Sequence, residues 1–114
     1  MDIERGDIVL VDLEPVKGSE TGKIRPCVII QNDIGNKFSS TTIVAIVTSQ
    51  KEISKEYPTD VWVEKNKGGL NLDSIIQGDQ IRTISKERIV KKLGHFEDEV
   101  MNKANKALKI SLGL

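Results

Sequence analysis

The sequence predicts an α+β fold, mainly β, whose curled antiparallel sheet can close as a small barrel, with a helix at the C-terminal end. Three observations support this. Short runs rich in Val and Ile, too brief for stable helices, alternate with turn residues along the first three quarters of the chain. The connections between them are short, which suits antiparallel neighbours. The one sustained three- and four-residue periodicity comes last, after Asp98. A chain of 114 residues has room for one compact core, so residues 1–114 read as a single domain.

The elements follow in order. IVLVDL (8–13) comes after Gly6-Asp7 and stops at Glu14-Pro15; CVIIQ (27–31) stops at Asn32-Asp33. TIVAIV (42–47) ends at Thr48-Ser49-Gln50, TDVWV (59–63) follows Tyr57-Pro58, and DSIIQGDQIRT (73–83) is long enough to bend at Gly78. Ser85 then suits the N-cap of KERIVKKL, with Ile84 and Ile89 placed as a hydrophobic staple and Gly94 as a stop, which predicts one or more helical turns. From Asp98, Val100, Met101, Ala104, Ala107 and Leu108 share one face of a helix.

Composition narrows the function classes. Seventeen basic and seventeen acidic side chains cancel, so a nucleic-acid partner must be met by a local basic face rather than a global field. The single cysteine, Cys27, excludes an intramolecular disulfide, suits a reducing compartment, and reads as a small buried hydrophobe. One histidine and one cysteine make no zinc pattern. The charged N-terminus with its four-residue apolar run is neither a signal peptide nor a membrane span, which points to a cytoplasmic protein.

Arg25 is the odd residue, because it stands directly before Pro26 at the entrance to an apolar run. Proline forces the preceding residue to be extended and supplies no N–H, so Arg25 must sit on a rim where the ladder is incomplete. If 25–31 pairs antiparallel with 42–48, equal lengths put Gln31 near Thr42 and Arg25 near Thr48. Ahead of Arg25, Ser19, Glu20 and Thr21 lie between Gly18 and Gly22, a loop that permits close approach of a ligand backbone.

The string GDIVLVDLEPVKGSETGKIRPCVIIQND, followed by TIVAIVTSQ, DQIRT and ALKISLGL, resembles the MazF/PemK (Kid) toxins of type II toxin–antitoxin systems over nearly the whole chain. The resemblance implies an SH3-like, barrel-like sheet with short helices and a C-terminal helix. It replaces the helical reading after Ser85 by a short turn and a strand at about 89–96. It further implies a homodimeric endoribonuclease, an mRNA interferase that cuts single-stranded RNA without a metal or other cofactor and is held inactive by a cognate MazE-like antitoxin. Residue by residue, it makes Arg25 and Thr48 the catalytic pair, lays Ser19 and Glu20 over the RNA, and matches Gln80 to an RNA-contacting glutamine. Gly78-Asp79 before Gln80 and the lengthened KNKGGLNLDS turn depart from the family pattern.

The chemistry needs no external nucleophile. A ribose 2′-OH attacks the adjoining phosphodiester, leaving a 2′,3′-cyclic phosphate and a 5′-OH through a transition state with added charge on the phosphoryl oxygens. Arg25 suits that charge through its planar fork, and Thr48 adds a donor. With a pKa above about 12, arginine is a poor proton acceptor, so Glu20 is the candidate base. Arg25 or water then protonates the leaving oxygen. His95 lies beyond the matched motifs and reads as structural or surface.

Gln80 can read an open base edge, with Asn32, Asn36 and Gln50 as weaker candidates that loops or caps also explain. Arg82, Lys17, Lys23 and Lys37 are candidates for tracking phosphates, and Trp62 for sheet packing or a dimer seam before base stacking. Two other classes share the architecture: a CcdB-like toxin that poisons gyrase, and a non-catalytic RNA- or protein-binding barrel. The R-P and I-V-T positions favour the nuclease.

Overall fold

In the computed structural model, which describes residues 1–15, 18, 23–52 and 55–114, six strands form one sheet. They are β1 (Asp7–Asp12), β2 (Ile24–Ile29), β3 (Thr41–Ser49), β4 (Asp60–Val63), β5 (Ser74–Ser85) and β6 (Ile89–His95). Helix α1 (Asp33–Phe38) joins β2 to β3, and α2 (Asp98–Leu112) follows β6. Every pairing is antiparallel, in the order β4-β5-β3-β2-β1-β6.

Alternation along the strands divides the apolar residues between two cores. Ile8, Val28, Ala45, Val47 and Ile76 turn to the face on which α2 lays Val100, Met101, Ala104 and Ala107. Val9, Val11, Cys27, Ile29, Val44 and Ile46 turn to the other face, with Ile3, Leu13 and Ile84. A sheet covered on both faces needs apolar residues at successive positions, which is why the runs in β1, β2 and β3 show no clean alternation. Helix α2 carries Asp98 and Glu99 in its first turn, where they complement the dipole, and ends on Gly113 in the left-handed region at φ 71°.

Two expectations need correction, and one connection proves to hold a short helix. KERIVKKL is not helical: Ser85 caps only the 3₁₀ turn Lys86–Arg88, its Oγ accepting from the Glu87 N–H at 3.4 Å, and the chain then pairs with β1. Satisfying the edge of β1 outweighs a local helix signal, so the strand implied by the family resemblance is the one observed. The connection between β2 and β3 holds α1, whose N-cap Asn32 accepts from the Gly35 N–H at 2.8 Å. Six residues are too few to show a helical period.

The second correction concerns closure. Among the described residues the hydrogen-bonded ladder stays open, with β4 and β6 at its edges. The turn between β4 and β5 bridges the gap by packing: a Cβ on Gly94 of β6 would lie 2.0 Å from the Gly68 carbonyl oxygen. Gly68 and Gly69, at φ 63° and 85°, let this turn reach β6.

The bend expected at Gly78 is a bulge. Ala45 pairs with Ile81 but Ile46 with Gln77, so Gly78, Asp79 and Gln80 fall outside the pairing. The Gly78 N–H donates to the Thr59 carbonyl at 2.8 Å, and a Cβ there would lie 2.6 Å from that oxygen.

Candidate active site

Pro26 opens the site. On one side β2 pairs with β1 from Asp12↔Ile24 through Val11↔Arg25 and Leu10↔Pro26. On the other, the ladder with β3 begins only at Cys27↔Ile46. Even-numbered residues of this segment turn their backbone groups toward β3, as the Ile30 N–H does in donating to the Ile43 carbonyl at 2.9 Å. Pro26 has no N–H to offer there. The ladder therefore stops short of Arg25, and a cleft of about 200 Å³ lies beside Arg25, Pro26, Thr48, Leu70, Asn71 and Leu72.

Cys27↔Ile46, Val28↔Ala45 and Ile29↔Val44 are the register that the sequence predicts. Carried outward, it sets Arg25 opposite Thr48, and the Arg25 Nη1 donates to the Thr48 Oγ1 at 3.4 Å, a long contact. Thr48 is buried to 6% exposure while Arg25 is half-buried. At the other end of the pair, Gln31 and Thr42 meet through Asn36, both donating to its Oδ1, at 3.1 and 2.7 Å. Asn32 and Asn36 thus have cap and core tasks.

Cys27 lies beneath Arg25, fully buried, with its thiol 3.8 Å from the Arg25 carbonyl oxygen. Burial pushes that thiol up to about 12 against the pull of the Arg82 and Arg25 guanidinium groups. A protonated thiol is no nucleophile, and Cys27 is the small hydrophobe expected. Arg82 stands opposite Val44 on the same face as Arg25. Its Nη1 donates to the Leu13 carbonyl at 2.7 Å, tying the end of β1 to β5.

Gln80 lies in the β5 bulge, partly exposed. Ser19, Glu20 and Lys17 lie outside the described residues. Lys23 and Lys37 are exposed, the latter 5.4 Å from the Phe38 ring centroid. Gln50 donates to the Ser74 carbonyl at 3.2 Å, and Trp62 is 40% exposed on β4.

His95 is remote from this cleft and partnered. Its Nδ1 lies 2.8 Å from Asp7 Oδ1, while Asp7 Oδ2 accepts from Lys92 Nζ at 3.0 Å and from the Glu4 N–H at 2.8 Å. Burial pushes the Asp7 carboxyl up, but these hydrogen bonds from His95, Glu4 and Lys92 hold it below its ordinary 3.8. The sequence reading missed Leu70, Asn71, Leu72 and Ser74, which line the cleft. The one available signal was the length of the KNKGGLNLDS turn that carries them.

Residues 4–112 match the family model described as PemK-like, MazF-like toxin of type II toxin–antitoxin system. Endoribonuclease EndoA of Bacillus subtilis (strain 168) is 49% identical over 114 residues, spanning 100% of this chain and 97% of that protein. Endoribonuclease MazF of Staphylococcus saprophyticus is 52% identical over 112 residues, spanning 98% of this chain and 92% of that protein. A mycobacterial endoribonuclease solved in complex with its cognate antitoxin superposes with a TM-score of 0.81 at 25% identity, covering 98% of this chain and 96% of that one. The chain belongs to the PemK-like, MazF-like toxin family of type II toxin–antitoxin systems.

Proposed function

We propose that this MazF-like toxin cuts single-stranded RNA at the Arg25–Thr48 cleft, without a metal, by turning a ribose 2′-OH on the adjoining phosphodiester. The chain is an endoribonuclease, like the two full-length relatives that carry that name at about 50% identity. The observation that carries the site is the guanidinium of Arg25 set 3.4 Å from the Thr48 hydroxyl where the β2–β3 ladder stops. Both groups are donors, and both can be aimed at the phosphoryl oxygens on which charge develops.

The 2′-oxygen gives up its proton as it bonds to phosphorus, and the 5′-oxygen leaves with a proton, producing a 2′,3′-cyclic phosphate and a 5′-OH. Glu20, in the G-S-E loop, is the candidate base. Ser19 and Gln80 are candidates for base contact. Arg82, one of whose N–H groups donates to the Leu13 carbonyl, is a candidate phosphate contact through its remaining donors.

The working form is a homodimer of single-domain chains, and its inhibitor is a cognate MazE-like antitoxin. A contiguous apolar surface from Ile30, Ile43 and Ile81 to Leu108 and Leu112 supports a second copy as partner. No helix among the described residues is long and apolar enough to cross a membrane. Action in the cytoplasm, where messenger RNA is met, follows from this reading.

The test is cleavage of a long mixed-sequence RNA by the full chain in EDTA, with analysis of fragment ends. Cyclic-phosphate ends are expected. Replacing the scissile ribose by deoxyribose is expected to abolish cutting while leaving binding largely intact. Cleavage of the deoxy substrate overturns the mechanism. Intact RNA with gyrase inhibition returns the CcdB-like class, and RNA retention without cutting returns the silent barrel.

A further inference from the structure

Thr48, Ile75 and Trp62 form one cross-strand row. Thr48 pairs with Ile75 across β3 and β5, and Ile75 with Trp62 across β5 and β4. Directly paired residues project from the same face of a sheet. The indole therefore stands on the face that carries the Arg25–Thr48 contact, about 10 Å from Thr48 at two strand spacings. Ile75 between them is fully buried, whereas Trp62 is 40% exposed.

The surface between the two is continuous. The cleft at Arg25 and a neighbouring one of about 460 Å³ share Ser49, Asn71 and Leu72. Lys51 and Lys65 flank Trp62 in the second cleft, and neither has an ion pair among the described residues. Asp73, the one carboxylate lining it among the described residues, already accepts the Lys65 backbone N–H at 2.9 Å. Val61 and Val63 anchor β4 in the core from its opposite face, while Trp62 leaves 40% of its surface open to solvent. An exposed aromatic ring flanked by cations is the arrangement that holds single-stranded nucleic acid, with bases stacked on the ring and phosphates on the lysines.

We propose that Trp62 stacks on a nucleobase flanking the scissile linkage, with Lys51 and Lys65 holding the adjoining phosphates. This rests on the reading of the Arg25–Thr48 cleft as the cutting site. Every base has a π face, so Trp62 contributes affinity and register along the groove without choosing the sequence that is cut.

Trp62 is the only tryptophan, so its emission reports the stack directly. The full chain is titrated with a substrate oligonucleotide whose scissile ribose is deoxy, and binding is followed independently by anisotropy of a label on the oligonucleotide. Quenching that saturates with binding is expected. Trp62→Ala is expected to weaken binding roughly ten- to hundredfold and to raise KM with kcat and the cleaved sequence unchanged, while Trp62→Phe recovers most of the loss. Lys51→Ala is expected to reduce the salt slope of binding by about one.

Unchanged emission at saturation, or an unchanged KM in Trp62→Ala, overturns the stack. Emission that shifts with protein concentration in the absence of RNA places Trp62 in a seam between copies and overturns it too. Normal cutting with a silent Trp62 leaves the active-site reading standing. Quenching without any cutting sinks that reading while the binding groove survives.

Discussion

The Arg25–Thr48 cleft and the Asp7–His95–Lys92 cluster lie on the same sheet, and the second has the side chains more familiar from acid–base chemistry. A buried carboxylate holding a histidine nitrogen at 2.8 Å looks like half of a catalytic triad. Yet the Asp7 carboxylate is 3% exposed and engaged by three donors that fasten β1, β6 and the N-terminal segment together. At Arg25, by contrast, the backbone ladder itself is interrupted and two side chains meet across a 3.4 Å contact beside an open cleft. Residue type alone would have ranked these regions the other way. What separates them is whether the polar groups serve the fold or face a space that a substrate can enter.

The sharpest way to break that contrast is to remove one group from each region. Arg25→Ala is expected to lower the cleavage rate at least about a hundredfold, the scale of one lost charge-stabilising donor. Its thermal midpoint should stay near that of the parent, because Arg25 sits on a rim. A near-normal rate would take Arg25 out of the chemistry and leave the cleft no better supported than the His95 region.

Asp7→Asn should do the reverse, lowering stability by about 2 kcal/mol at neutral pH through loss of charge-assisted hydrogen bonds, with turnover of the folded enzyme retained. The pH dependence has a definite sign. The folded Asp7 carboxyl is held below its ordinary 3.8, so its contribution is present above that value and is lost as the pH falls through the lowered folded value. Denaturant melts of parent and variant should therefore differ by a constant amount at higher pH and converge below 3.8. A gap that widens in acid would contradict this assignment.

The smallest effect separates the two residues proposed as the catalytic pair. Thr48→Val keeps the shape of the side chain and removes one donor, with an expected loss of about tenfold in kcat, equivalent to about 1.4 kcal/mol. A loss as large as that of Arg25→Ala would mean that the hydroxyl positions the guanidinium as well as donating to substrate.

Much of this was legible in the linear chain because the signals were local. Short Val/Ile runs between turn residues located the strands, three- and four-residue spacing located α2, and Pro26 marked where β2 must leave its ladder. Equal run lengths set the β2–β3 register, and with it the meeting of Arg25 and Thr48. The misreadings came where local preference competed with distant partners. Ser85 does cap a turn, but the unpaired edge of β1 claims Ile89–His95 as a strand. The cleft walls at Leu70–Leu72 carry no chemical signature and come from a turn more than twenty residues beyond Thr48 in the chain.

The sequence by itself determined the first five strands, the terminal helix and the proline-limited rim at Arg25, since each follows from backbone sterics and apolar spacing among near neighbours. Only the tertiary structure decided that the β4–β5 turn packs against β6 across an open ladder, that Asp7 ties His95 and Lys92 together, and that Trp62 shares a face with the Arg25–Thr48 contact. Those outcomes depend on which strands become neighbours and with what register, and that is settled by the whole core at once.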